Sequence, residues 1–364
     1  MADPMKSSAT CWQRPSLASR AIPSCLALAG VLLCETPALA KRWDDSDRSF
    51  ITLQSENDLF ARAANSDRHY TNGMQASWLS APRDDLPGWT RFFTATPFAL
   101  KHDPITEQST RLGMSIGQAI FTPDNTDTRT PIATDRPYAA WLHATFSLQS
   151  VRSSATGAAW QDQWKLDLGV VGPAALGQQV QNRWHKLINA AEPQGWGNQL
   201  PNEPGLNVSF ERAWRSQTFA TPEILGFQTD FIPYGVVALG NVQTYAAAGG
   251  TFRFGYRLPD DFGPPRVYPG IGGSEWFRAQ SAWSGYLFAG IEGRAVARDI
   301  FLDGSTFRDS PSVEKRHFVS DVKLGGVLLS GNYRLSYTHV FRSKEFHGQP
   351  KADQFGAFTL GVGF

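Results

Sequence analysis

The sequence predicts an all-β fold: a twelve-stranded antiparallel transmembrane β-barrel with one short helix in an outward-facing connection. Two observations carry that expectation. An export signal opens the chain, and the rest divides into segments of about ten residues that alternate apolar with small or polar side chains, the period of a strand with one face in lipid. The 364 residues hold 34 Lys and Arg against 33 Asp and Glu, a formal charge of +1. A nucleic-acid binder usually carries a basic excess, so that class is set aside.

Lys6, Arg14 and Arg20 precede an apolar run from Ala21 to Cys34, and Ala38-Leu39-Ala40 supplies small residues before Lys41. This is the order of a cleavable secretory signal, so residues 1–40 are expected to be removed and 41–364 to form the barrel. The run is short for a spanning helix of about 20 residues. Cys11, Cys25 and Cys34 all lie in this segment, which leaves the mature chain without a disulfide, a thiol nucleophile or a Cys-ligated metal.

No stretch of about 18 uncharged apolar residues follows, so no helical span is expected. Alternating segments occur instead at 49–56, 73–80, 109–120, 139–150, 160–171, 205–214, 229–240, 243–257, 284–298, 315–329, 332–343 and 354–364. The last is the cleanest: Phe358, Leu360, Val362 and Phe364 share one face, and Ala357, Thr359, Gly361 and Gly363 the other. Leu112, Met114, Ile116 and Ile120 repeat the pattern, as do Leu142, Ala144, Phe146 and Leu148, then Trp164, Leu166, Leu168 and Val170, and Tyr333, Leu335, Tyr337 and Phe341. A soluble β-sandwich has the same period. The export signal argues for the membrane, as do the final aromatic, which resembles the terminal strand of bacterial outer-membrane proteins, and the aromatics near segment ends (Trp78, Trp141, Trp164, Tyr245, Tyr256, Phe341).

An even strand count puts both chain ends on the periplasmic side. Connections 57–72, 121–138, 172–204, 241–242, 299–314 and 344–353 then face outward. The short Ser330-Gly331-Asn332 turn faces the periplasm, as do two connections, 81–108 and 258–283, whose length is atypical of a bacterial barrel.

Chemistry concentrates in three outward connections. The first holds Glu56-Asn57-Asp58 and Asp67-Arg68-His69-Tyr70-Thr71-Asn72-Gly73, and the second ends in Asp135-Arg136-Pro137-Tyr138. In the third, residues 175–190 read as a helix with Leu176, Val180, Trp184 and Leu187 at helical spacing, ended by Pro193 and Gly195. Gln181 and His185, four apart, project from one stripe of it. Each motif has a plainer reading: a solvated loop histidine, a polar cap at Asn57-Asp58, a turn at Thr71-Asn72-Gly73, a rim ion pair at Asp135-Arg136.

Taken in order, these motifs, with Gly195-Trp196-Gly197-Asn198-Gln199, Asn202-Glu203-Pro204 and the stretch from Tyr337 to Phe346, resemble the outer-membrane lipid A deacylase family over nearly the whole mature chain. The resemblance implies calcium-dependent hydrolysis of the 3′-acyloxyacyl ester of lipid A at the outer leaflet. It places the histidine base at His185, with Gln181 as its helical partner. It puts Asn57 and Asp58 at the end of strand one, a hydroxyl at Thr71, and a further glutamate at Glu192, with Glu203 as the substitute. Oxygen ligands of the Asn57, Asp58, Thr71 and Glu192 kind suit calcium, which can stabilise charge on an ester carbonyl oxygen. Asp58 serves either as ligand or as the group that orients His185. A neutral imidazole, with an ordinary pKa of about 6.5, suits proton abstraction from water. No serine stands in an evident nucleophile motif, which favours direct attack by water. Arg68, Arg136, Arg183 and Lys186 are candidates to meet the phosphates of lipid A. The expected setting is the bacterial outer membrane, with lipopolysaccharide as substrate and a monomer as the working unit.

Two other readings compete. His69-Tyr70-Thr71-Asn72-Gly73 is similar to the His-x-Ser-Asn-Gly motif of an outer-membrane phospholipase, but Thr71 stands where that motif has serine. A passive pore is compatible with the small inward positions Gly113, Ser115, Thr145, Ser147 and Thr359.

Overall fold

The computed structural model describes residues 47–61, 67–90, 93, 105–154, 158–215, 224–268 and 273–364. The expected signal, 1–40, lies outside them, and the barrel belongs to the unit Asp45–Phe364. Twelve strands form one closed antiparallel sheet in chain order: β1 (Phe50–Asn57), β2 (His69–Leu79), β3 (Ile105–Thr122), β4 (Ala139–Ser154), β5 (Ala159–Val171), β6 (Glu203–Arg215), β7 (Phe227–Gly240), β8 (Gln243–Tyr256), β9 (Trp283–Asp299), β10 (Phe318–Ser330), β11 (Tyr333–Arg342) and β12 (Asp353–Gly363). The sheet closes where β1 meets β12, from Phe50 opposite Gly363 to Asn57 opposite Gly356. Closure removes both edges, so strand backbone groups pair within the sheet, as a lipid environment demands. Among the described residues no helix is long and apolar enough to cross a membrane.

The period of two sorts side chains between two environments. Ile51, Leu53, Met114, Ile116, Leu287, Ile291, Leu324, Leu335 and Phe358 are exposed on the outer wall. Their neighbours Thr52, Gln54, Glu292, Lys323, Arg334 and Thr359 are buried on the inner one. Ile120 and Leu148 are exceptions on the outer rows, both buried; Ile120 is covered by Ala175 and Trp196 of the β5–β6 connection. Trp78, Tyr256 and Phe341 are exposed as girdle aromatics should be. Trp141 and Tyr245, expected beside them, fall on inward rows and are buried in interior clusters instead. Strand β2 begins at His69, earlier than expected, because the Tyr70/Asn72 irregularity adds a paired step before the regular ladder.

The length of the second periplasmic connection now has a reason. Residues 257–268 and 273–282 turn back into the lumen. Asp261, near the periplasmic end, pairs with Arg253, and Arg334 donates to the carbonyl oxygen of Ser274 at 2.9 Å. Further up, Arg266 bridges Glu292 at 3.0 Å and Asp321 at 2.9 Å. At the tip, Tyr268 packs in the outer-end cluster with Tyr70, Phe121, Trp141, Phe301 and Phe355. Unpaired, such charges would be costly in a closed interior; here each meets an opposite charge from the wall. The filled lumen counts against the passive-pore reading. Of the other long periplasmic connection, most of 91–104 lies outside the described residues.

Candidate functional site

The site starts at the outer end of β1. Successive strand residues point to opposite faces, so Glu56 enters the lumen while Asn57 continues the outward row of Ile51, Leu53 and Ser55. Asn57 then caps a 3₁₀ turn, Asp58–Phe60, its Oδ1 accepting from the Leu59 N–H at 2.8 Å. The plain capping role is therefore real, and it holds Asp58 in place as the next residue. Asp58 Oδ2 accepts the Arg68 N–H at 3.1 Å, which ties the returning end of the first outward connection to it. The turn lies close on β12: a Cβ on Gly356 would come within 2.6 Å of Phe60 Cβ, so the position needs glycine.

The third outward connection forms a 3₁₀ turn, Pro173–Ala175, and helix α1, Gly177–Ile188. The helix ends at Asn189, in the left-handed region at φ 56°, whose N–H turns back to the carbonyls of His185 and Lys186. It therefore stops before Pro193 and Gly195, which were expected to end it. Its polar stripe is the one that packs inward. Gly177, Gln181 and His185 are the buried residues, while Leu176, Leu187 and Ile188 are exposed, Leu187 by 76%. A helix that buries its polar stripe and shows apolar side chains outward is not facing water on that side. Its location fits: Ala140, Leu142 and Val170 of the outward rows pack with Ala175, Val180 and Trp196. Gln118 Nε2 also donates to Ala175 O on that wall. A Cβ on Gly177 would meet Ala140 Cβ at 2.5 Å, so glycine permits this close approach. Helix α1 thus lies against the membrane-facing flank of β3–β5 at the outer rim, not over the lumen.

Between helix and rim is a cleft of about 450 Å³, lined by Asn57, Asp58, Asp67, Asp124, Asn125, Asp127, Trp184, His185 and Ile188 among others. Asn57, Asp58 and His185, distant in the chain, share it. His185 has both ring nitrogens engaged: Nδ1 with the Ala191 carbonyl and Nε2 with Asp67 Oδ2. Gln181 Nε2 donates to the same Asp67 oxygen at 3.0 Å, and Gln181 Oε1 accepts from Trp196 Nε1 at 2.8 Å. The Asp67 carboxylate raises the His185 pKa above its ordinary value, with the Ala191 carbonyl adding to it, against the opposing effect of burial.

The other expected residues divide. Thr71 is buried with its hydroxyl 2.7 Å from that of Thr122, and it does not line the cleft. Glu192 contacts Lys186 Nζ at 3.4 Å on the exposed side of the helix; the substitute Glu203 accepts from Asn241 at 3.1 Å and from the Thr306 N–H at 2.8 Å. Arg68 is held by Asp124 at 3.3 Å and the Ala352 carbonyl at 3.0 Å. Arg136 is buried, paired with Glu345 at 3.2 Å and stacked over Phe121, so a phosphate at the surface does not reach it as it stands. Lys186 and Arg183 are exposed.

Asp67 is the residue that sequence reasoning passed over. It was read only as part of a loop motif, because nothing local signals a pairing with a histidine on a later connection. Asp124 and Asp127 were missed for the same reason. Among the described residues no three His, Cys, Asp or Glu side chains are grouped to hold a metal ion.

A family model and one solved barrel match this architecture. The family model described as outer membrane protein LpxR matches residues 26–364. The solved structure of LpxR from Salmonella typhimurium is similar with a TM-score of 0.65 at 20% identity, covering 86% of this chain and 100% of that one. The β domain of the Bordetella autotransporter BrkA is similar at 7% identity and a TM-score of 0.46, covering 88% of this chain and 100% of that one. No curated protein sequence matches.

Proposed function

The chain belongs to the LpxR family of outer-membrane proteins, the lipid A deacylases, and from that premise we propose that its flank cleft hydrolyses the 3′-acyloxyacyl ester of lipid A at the outer leaflet, with His185 as the base. The observation that carries this reading is the meeting of His185 with Asn57 and Asp58 in one cleft on the lipid-facing side of the wall. A lipid substrate reaches that position without leaving the membrane.

The Nδ1–H of His185 donates to the Ala191 carbonyl and so fixes the ring, leaving Nε2 as the nitrogen that takes a proton. Asp67 Oδ2 stands at Nε2, where the oxygen of an attacking water would stand. Water and carboxylate therefore compete for one place, and the base works once Asp67 yields it. The proton passes from water to Nε2, the hydroxide oxygen joins the acyl carbon, the bond from that carbon to the sugar 3′ oxygen breaks, and Nε2 returns the proton to the leaving oxygen. Asp67 and Gln181 remain beside the imidazolium as counter-charge and positioning group. The exposed Lys186 and Arg183 stand ready for phosphate groups, and the apolar residues Trp184 and Ile188 for acyl chain.

The residue chemistry fits calcium: Asn57, Asp58, Asp124, Asn125 and Asp127, whose side chains carry amide and carboxylate oxygens, line the cleft. Asn57 and Asp58 are the residues we assign to hold it, in place of the wider set that included Thr71 and Glu192. When bound there, the ion supplies stabilisation for negative charge developing on the ester carbonyl oxygen.

Mass spectrometry of lipid A from cells making wild-type protein or His185→Ala tests the proposal. Loss of one 3′-acyloxyacyl unit with wild type alone is expected. Unchanged lipid A with folded wild-type protein in the outer membrane would end it.

A further inference from the structure

The tip of the lumenal connection lies directly behind the cleft. Glu56, the residue before Asn57, points into the lumen and is buried. Its Oε1 accepts the Val267 N–H at 2.8 Å, and its Oε2 accepts the Tyr70 hydroxyl at 2.7 Å and the Tyr268 N–H at 3.3 Å. The tip is fixed in turn by the opposite wall. The Tyr268 hydroxyl donates to Asp299 Oδ2 at 2.8 Å and accepts from Gln243 Nε2 at 2.7 Å. Arg342 Nη2 donates to the Tyr268 carbonyl at 3.3 Å. The Tyr268 ring packs 5.1 Å from Tyr70 and 4.9 Å from Phe121, centroid to centroid.

We infer that this periplasmic connection is an internal strut whose tip, Val267–Tyr268, acts through Glu56 to set the position of Asn57 and Asp58 on the other face of β1. The physical argument is short. Neighbouring residues of one strand share a rigid backbone but face opposite sides, so a side chain clamped inside fixes where the next one stands outside. The outer end of β1 is paired on both sides, Asn57 standing opposite Gly356 of β12 and Asn72 of β2, so a clamp on Glu56 is carried along a stiff ladder to its neighbour. A carboxylate that accepts three hydrogen bonds, two from the tip and one from Tyr70, adds a directional clamp to that ladder. Glu56 and Tyr268 are therefore positioning residues for the reaction. Neither lines the cleft. The chain of contacts makes a segment that enters from the periplasm part of the machinery at the outer surface.

The inference rests on the hydrolysis reading, and the test separates the two. Purified, refolded wild type, Glu56→Ala, Glu56→Gln, Tyr268→Ala and Trp276→Phe are assayed on lipid A in mixed micelles, each checked for the heat-resistant mobility of a folded barrel. Trp276 lies lower in the connection, where its Nε1 donates to Gln161 at 2.8 Å, and serves as the control. A misplacement of about 1 Å at a reacting centre costs on the order of 100-fold, so Glu56→Ala and Tyr268→Ala should each lose at least ~10-fold in kcat with KM within ~2-fold. Glu56→Gln, which keeps an acceptor for Val267, should recover most of the loss, and Trp276→Phe should match wild type. If Glu56→Ala does not fold, Tyr268→Ala and Glu56→Gln carry the same comparison. Full kcat in folded Tyr268→Ala, or an equal loss in Trp276→Phe, overturns the strut. Inactive wild type overturns the hydrolysis reading instead.

Discussion

Two long connections leave the same barrel and solve opposite problems. The lumenal connection, described over 257–268 and 273–282, brings Arg266 and Asp261 into a closed interior and meets them with Glu292, Asp321 and Arg253 of the wall. The rim connection, 172–202, turns Gln181 and His185 inward against the outer flank and presents Leu187 and Ile188 away from the protein. The inside of the barrel thus accepts charge when each charge has a partner. The outside accepts apolar surface and keeps its reactive groups in a narrow polar cleft beneath it. An enzyme acting on a membrane lipid needs both arrangements, since its substrate has an acyl part that stays in the bilayer and an ester that must be reached by water.

The sharpest way to break this contrast is to remove a charge partner on each side. On the flank, removing the proposed base should cost most: His185→Ala is expected to lose ~10²–10⁴ in kcat, the range for a positioned general base. In the lumen, Arg266→Ala leaves Glu292 and Asp321 short of a partner in a buried network. Breaking a buried pair by removing one member typically costs about 3–5 kcal/mol, so the urea midpoint of the folded barrel should fall clearly while lipid A binding changes little.

Asp67→Asn comes next. The carboxylate raises the His185 pKa, so removing it should lower that pKa. The base is active when neutral, above its pKa, and therefore the acid limb of kcat/KM in the variant should move to lower pH. The plateau should fall by ~10- to 100-fold because the imidazolium loses its counter-charge. An acid limb unmoved in Asp67→Asn would mean that the Asp67–His185 contact plays no part in the working enzyme. The smallest effect is expected at Leu187→Asn. It removes outward apolar surface worth about 1.5–3 kcal/mol if fully buried in lipid. Activity on membrane-embedded lipid A should drop severalfold, with little change on a dispersed short-chain ester.

The contrast also explains what could be read from the sequence. The wall was legible because a strand in lipid writes its environment every second residue: Phe358, Leu360 and Val362 against Thr359 and Gly361 need no partner to be recognised. Trp141 and Tyr245 misled because aromatic character marks a lipid interface and a packed interior equally. Helix α1 was legible as a helix through its spacing, but the exposure of Leu176 and Leu187 was not, since periodicity shows that a face exists and not which solvent it meets. The lumenal connection was opaque for a related reason. From sequence it showed only its atypical length, because Arg266 meets Glu292 and Asp321 of β9 and β10, 26 and 55 residues further on, and leaves no local pattern. Asp67 escaped in the same way, because its contact with His185 leaves no pattern in either neighbourhood.

The central claim is that the flank cleft cleaves an ester with water activated by His185. Folded wild-type and His185→Ala protein can be incubated with lipid A in ¹⁸O-labelled water and the released acid weighed by mass spectrometry. Wild type should release a 3′-acyloxyacyl acid carrying one ¹⁸O in its carboxylate and leave an unlabelled 3′ hydroxyl on the sugar, while His185→Ala releases almost none. Equal release by the variant, or label found on the sugar, would contradict the account.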